Sequence, residues 1–414
     1  MQESKKIKAG QPIICQLMSF IPEQVFASAL ETTVANHYYK KMMAKDHFLC
    51  LFYAVLTRNA SLRETCKQIV LLGNSLSYCG IKQIPKKSTL SDANNKRSHV
   101  FFQTLYLVLY KHYKSYLHRT NFSLPIGGEI PPELVEIFDS TTITLFKEIL
   151  KGAGRNAIDG KKKGGLKVFT KINFLENVPN YICMKAASAN ETGFLQLMEM
   201  DKGSIGVMDK GFNKYSYFDK LNRSGRFFLT RKKENARYEV VESKDIEQGS
   251  DILKDQIILL NYKELKVSRT VKLRVVTYKD PIKGEVLEFL TNLMEVSAAT
   301  IAQLYKNRWV IEVLFKQLKQ NFELKYFLSD SENGIKSQIW VALIANLIFT
   351  VIERMTKKAE DFATLVSIAA KNLCSYISFI QFLTCPQLYE SLWKCNEDDL
   401  GKMQLKIFED QGGG

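Results

Sequence analysis

A chain of 414 residues, 46% of them hydrophobic, can bury a sizeable core and divide into two or three domains. Its net charge of +15 is lopsided: residues 1–128 hold 17 Lys and Arg against 6 Asp and Glu, a surplus of +11 that favours a polyanion partner. The start of the chain has no secretory pattern, and the most apolar runs, 48–56 and 339–352, are too short or too polar at their edges to cross a bilayer.

The 8 cysteines show no CxxC pair and no zinc-ligand spacing, and read as reduced thiols of a cytosolic protein. All 5 histidines lie at or before His118. That argues against a Ser-His triad, a histidine-bound metal hydrolase or a His-activated tyrosine nicking enzyme.

Residues 12–118 read as helical, with apolar positions at helical period in 26–30, 48–56, 62–72 and 100–109. Ser61 and Glu64 have the spacing of a capping box. A helix after Pro85 carries Asn94, Asn95, Lys96 and Arg97, and a shorter helix and a turn precede it. This pattern looks like a helix-turn-helix that reads DNA ends. An ordinary helical bundle with a solvated face is the other reading. Gly127-Gly128 and Pro131-Pro132 suggest a linker, so the helical domain is placed at 1–128.

Two apolar β-like runs follow, each closed by an acid. The run 134–139 stops at Asp139 and the run 205–209 at Asp209. A carboxylate at the end of a buried strand points into the crevice where open sheets bind ligands. Between them lie a basic stretch with Lys161, Lys162 and Lys163, strands near 166–174 and 181–187, and a helix near 192–200. The segment 213–297 alternates strongly at 227–230, 257–260, 265–278 and 286–290, and reads as β-rich. A helix over 305–319 comes next, with Tyr305, Arg308, Glu312 and Lys319 within roughly 60° of one another at about 100° per residue. Ile311, Leu314 and Leu318 fill the neighbouring arc. Residues 335–392 are helical and apolar, a buttress for that helix.

Asp139, Asp209 and Glu312 make a three-carboxylate set, suited to two hard divalent cations that activate an oxygen nucleophile for in-line phosphoryl displacement. Tyr-x2-Arg-x3-Glu-x6-Lys over residues 305–319 matches the YREK signature of DDE transposases of the IS-four insertion-sequence family. Val-Met-Asp-Lys-Gly-Phe (207–212) and Phe-Asp-Ser-Thr (138–141) resemble the regions around that family's two aspartates.

The resemblance implies an α/β fold: an RNase H-like core split into 129–212 and 298–370, a β-rich insertion at 213–297, the N-terminal DNA-binding domain and a helical tail at 371–414. It implies a bacterial, nucleoid-associated cut-and-paste transposase acting on inverted-repeat DNA ends and target DNA, as a homodimer in the synaptic complex. Asp139, Asp209 and Glu312 would hold two Mg²⁺ ions, or Mn²⁺ in their place. Tyr305, Arg308, Lys319 and Lys161 to Lys163 would contact DNA phosphate. Relatives that form DNA hairpins carry a tryptophan in the insertion; here Phe227, Phe228, Tyr238, Tyr262 or Tyr278 would have to stack on a flipped base. A metal-dependent nuclease or recombinase on the same core, and a non-catalytic transposase-derived DNA-binding protein, are the alternatives.

Overall fold

The computed structural model describes residues 10–73, 78–80, 85–119, 128–145, 165–197, 199–322, 324, 326–357 and 359–387. The first part is helical: α1 (Ile13–Met18), α2 (Glu23–Thr33), α3 (Ala44–Thr57), α4 (Leu62–Leu71), α5 (Lys87–Lys96) and α6 (Val100–Arg119). Ser61 caps α4, its hydroxyl accepting from the Glu64 amide, as the capping-box spacing anticipates. Helix α3 is apolar around nearly its whole circumference and is buried accordingly.

A mixed α/β region follows, built on one 9-stranded sheet in the order β3-β2-β1-β4-β5-β9-β8-β7-β6. The strands are β1 (Val135–Thr144), β2 (Gly165–Asn173), β3 (Pro179–Ala186), β4 (Ile205–Met208), β5 (Phe227–Arg231), β6 (Tyr238–Ser243), β7 (Ile252–Glu264), β8 (Val267–Lys279) and β9 (Val286–Thr291). β1, β2 and β3 are antiparallel neighbours, whereas β1–β4 and β4–β5 are parallel. Short helices α7 (Glu191–Phe194) and α8 (Tyr215–Arg223) lie among the strands; α9 (Ala298–Lys306), α10 (Trp309–Asn321), α11 (Glu332–Met355), α12 (Phe362–Lys371) and α13 (Phe379–Thr384) follow them.

The β-rich segment is not a body apart. β9 pairs antiparallel with β5, so β6 to β9 lengthen the same sheet. The run at 227–230, grouped with the insertion by its alternation, is β5 itself and runs parallel to β4. Buried Arg274 on β8 fixes this extension to the path leading into α9. It forms a bidentate pair with Asp255 (2.7 and 2.6 Å) and donates to the carbonyls of Leu293 and Val296.

The centre of the molecule is α11, sheathed by α6 and α3 on one side and α12 on another. By length and composition it could cross a membrane, longer than the apolar run suggests, yet 94% of its most apolar window is buried inside the protein. Trp340 on α11 meets Tyr106 of α6 at 5.6 Å between ring centres. The N-terminal helices, α11 and one face of the sheet therefore share a single apolar core. The expectation of uniformly reduced cysteines fails at one pair. Cys15 and Cys79, 64 residues apart with Cα atoms 5.5 Å apart, are disulfide-bonded, because folding brings α1 beside the turn at 78–80.

Candidate active site

β4 is four buried residues, Ile-Gly-Val-Met, and the chain leaves it at Asp209 into a 3-10 turn over Lys210–Phe212. The parallel register of β1 and β4 ends at the pair Phe138 and Met208. Asp139 and Asp209 are therefore the next residues on adjacent strands. Side chains alternate along a strand, so both acids share the face of Ile137 and Val207. One expectation is corrected here: β1 does not stop at Asp139 but continues to Thr144, because β2 still supplies a hydrogen-bonding partner beyond the end of β4.

The helix expected over 305–319 is also interrupted. Tyr305 belongs to α9, while Glu312 and Lys319 belong to α10. Between them the backbone tightens into i→i+3 bonds: Arg308 to Tyr305 (3.1 Å), Val310 to Asn307 (3.1 Å) and Ile311 to Arg308 (3.2 Å). Arg308 sits on that joint and faces β1. Its guanidinium donates to Asp139 Oδ2 at 2.9 Å and, through the other nitrogen, to Glu312 Oε1. The first strand's acid and the helix's acid are thus linked by one cation.

The electrostatics follow from crowding three acids in a half-dry crevice. Burial pushes the Asp139 carboxyl up to about 6, and the charges of Asp209 and Glu312 add to this. Arg308 and the Ser140 amide, 2.7 Å from Asp139 Oδ1, pull in the opposite direction. Burial works against the charged Arg308, but Tyr305, Asp139 and Glu312 outweigh it and raise its pKa. Tyr305 is buried with its ring 5.7 Å from the Arg308 guanidinium, and burial pushes its hydroxyl up to about 12. Lys319 donates to Thr141 Oγ1 at 2.6 Å, two residues along the Asp139 face of β1, and burial lowers its pKa.

The N-terminal candidates divide by burial. Asn95 and Lys96 are exposed on α5. Asn94 and Arg97 are interior, which corrects their assignment to a DNA-reading face. Asn94 is 2.7 Å from the ring of buried His47, whose pKa burial lowers to about 3. Arg97 donates to the carbonyls of Ala35 (3.2 Å) and Met42 (2.6 Å) and lies 4.2 Å over the Tyr39 ring. Helical periodicity marked α5 but left open which arc met its neighbours.

Lys161, Lys162 and Lys163 lie outside the described residues. Of the proposed stacking aromatics, Phe228, Tyr262 and Tyr278 are buried, and only Phe227 and Tyr238 keep partial exposure. Sequence reasoning missed a groove that starts at Lys210, the residue after Asp209, and is lined by Lys210, Arg231, Lys232 and Lys233 together with Glu234 and Glu288. The short Arg-Lys-Lys run closing β5 was its signal.

No three Asp, Glu, His or Cys side chains among the described residues form a ready-made metal cage. The donor chemistry, carboxylates from two strands and a helix, nevertheless suits a hard divalent cation.

Residues 131–348 match the family described as Transposase DDE domain, and residues 9–82 match a Domain of unknown function (DUF4372). A transposase of Sinorhizobium fredii (y4zB) is 28% identical over 229 residues, 54% of this chain and 62% of that protein. The transposase for insertion sequence element IS4SA of Synechocystis is 24% identical over 330 residues, 78% of this chain and 86% of that protein. The transposase for insertion sequence element IS5377 of Geobacillus stearothermophilus is 26% identical over 261 residues, 62% of this chain and 64% of that protein. The matches thus span somewhat under two thirds of the first and third relatives. A cryo-EM structure of the piggyBac transposase synaptic complex with hairpin DNA aligns with 92% of this chain and 82% of that one, at 10% identity and a TM-score of 0.41, too distant to support an inference. The DDE match covers more than half of the chain and includes both strand aspartates and the YREK helix: this protein belongs to the DDE transposase family.

Proposed function

We propose that this chain is a cut-and-paste transposase that binds the inverted-repeat ends of its own insertion sequence, cleaves them and joins them to target DNA, acting as a homodimer. The strand order 3-2-1-4-5, antiparallel then parallel, supports an RNase H-like core. One observation carries the mechanism: the β1–β4 register sets Asp139 beside Asp209, and Arg308 ties Asp139 to Glu312.

In this reading Asp139, Asp209 and Glu312 would hold two Mg²⁺ ions, which would supply Lewis-acid activation of an oxygen nucleophile for phosphoryl displacement. The protein's own groups do the rest. Arg308 neutralises two neighbouring carboxylates through its terminal nitrogens, and its charge would favour a DNA phosphate brought up to the acids. Lys319 offers a point charge from the same face as Asp139. Tyr305, whose hydroxyl is buried, packs its ring 5.7 Å from the Arg308 guanidinium and would position Arg308 instead of touching phosphate itself. The groove that Lys210, Arg231 and Lys233 line, one residue on from Asp209, would offer positive charge to the DNA backbone, although Glu234 and Glu288 line it too and Glu288 pairs with Lys232.

Purified protein incubated with Mg²⁺ and duplexes bearing the element's ends should cut them and join the 3′ ends to a target. Cutting without joining would favour a nuclease, and binding without cutting a non-catalytic DNA-binding protein. Within this assay, Lys319→Ala should slow single-turnover cleavage by about 10- to 150-fold, the value of a charge-assisted hydrogen bond of ~1.5–3 kcal/mol. Melting should move little, since Lys319 is only half-buried and releases one hydroxyl partner. A large drop in melting with an unchanged rate per folded molecule would make Lys319 structural.

A further inference from the structure

Behind the acids, on the opposite face of the sheet, stands a carboxylate that the YREK pattern does not contain. Glu191 opens the short helix α7, and its Oε1 accepts from Ser140 Oγ at 3.0 Å and from Lys167 Nζ at 3.0 Å. Ser140 directly follows Asp139, and strand alternation turns its side chain away from the acid face. Lys167 on β2 is almost fully buried and also donates to the Ala189 carbonyl at 3.2 Å, so the carboxylate is held from both sides. The other oxygen, Oε2, lies against Gly211, two residues beyond Asp209. A Cβ built there would overlap it. The backbone at 211 is not left-handed, but a side chain there would have to push the Glu191 carboxylate out of its place beside Ser140 and Lys167.

We infer that Glu191 is a positioning residue for the metal-binding acids: by touching Ser140 and Gly211 together, it fixes how far apart Asp139 and Asp209 stand. The inference rests on the reading that these two aspartates hold the metal. Glu191 binds no metal itself. It touches the side chain of the residue after Asp139 and the backbone two residues beyond Asp209, close to where the β1–β4 register ends at Phe138 and Met208. Without it, the turn after Asp209 has one contact fewer holding it to β1, and the carboxylates separate or rotate. Outer partners that orient metal ligands typically contribute 10- to 100-fold in metal affinity.

The test uses the full-length protein and three measurements: Mn²⁺ affinity by electron paramagnetic resonance, thermal melting without metal, and cleavage as a function of Mg²⁺ concentration. Glu191→Ala should weaken Mn²⁺ binding about tenfold and raise the half-saturating Mg²⁺ by a similar factor, with end-DNA affinity in chelator unchanged. Glu191→Gln keeps an oxygen for Ser140 and should recover most of the loss; it also serves should the alanine variant fail to fold. Gly211→Ala should be as damaging as Glu191→Ala, yet adding it to Glu191→Ala should cost little more, because the overlapping oxygen is gone. Mn²⁺ affinity within twofold of the unaltered protein in Glu191→Ala, or a Gly211→Ala defect of equal size in both backgrounds, overturns the inference. Asp209→Asn separates the two ideas: if it retains full Mn²⁺ affinity, the metal assignment fails, whereas a normal Glu191→Ala beside a defective Asp209→Asn removes only the positioning role.

Discussion

Asp139→Asn, Asp209→Asn and Glu312→Gln are each expected to reduce Mg²⁺-dependent cleavage of element ends by a thousandfold or more, on the order seen when one member of a catalytic unit is removed. Each substitution is nearly isosteric and removes one ligand charge, so binding of uncut ends should persist. Doubles should lose little beyond the singles, because the acids act as one unit. The folded state gives this prediction a second readout. Burial, with Asp209 and Glu312 nearby, raises the Asp139 pKa to about 6, so its ionised form costs stability in metal-free protein. The penalty is complete above that pH and disappears as pH falls below the ordinary carboxylate value. Asp139→Asn should therefore melt, without metal at neutral pH, at or above the temperature of the unaltered protein. Differential scanning calorimetry beside single-turnover cleavage checks both halves. A variant that cuts at near-normal rate removes its residue from the site.

Arg97→Ala should destabilise the helical region by about 3 kcal/mol, in the range for leaving buried hydrogen-bond partners unmatched together with a cavity. The carbonyls of Ala35 and Met42 would lose their donor, and the Tyr39 ring its cation. At temperatures where the variant stays folded, DNA affinity should hold. Replacing exposed Asn95 or Lys96 by alanine should do the reverse, leaving melting unchanged and weakening DNA binding. Melting curves and end-versus-random duplex titrations separate the two patterns. If Arg97→Ala melts normally but loses its preference for element ends, Arg97 is a reader after all.

Much of this protein was legible before folding was considered. The order of strands and helices comes through because alternation of period 2 and apolar arcs of period 3.6 are local patterns, as in 265–278 and 311–318. The 305–319 spacing carried the family, since those four residue types at those intervals are a long coincidence. Glu312 was therefore picked out as a candidate together with Arg308 and Lys319. The two strand aspartates were picked out by the apolar runs in front of them.

What local pattern cannot hold is pairing between distant segments. That β1 runs past Asp139 depends on β2, a partner 31 residues further on at the Asp139–Thr170 pair. The β5–β9 bond that turns the insertion into more of the same sheet is likewise invisible in either strand alone. Asn94 and Arg97 read as solvent-facing because a polar residue on a helix normally is. Only the packing of α5 against His47, and of Arg97 against the 35–42 segment, turned them inward. Composition, periodicity and one spaced motif pointed to the class of enzyme and to three candidate acids; the tertiary structure decided that Arg308 bridges Asp139 to Glu312 and that Glu191 contacts Ser140 and lies against Gly211, because a side chain's partner across the sheet is set by register and burial, which no single segment encodes.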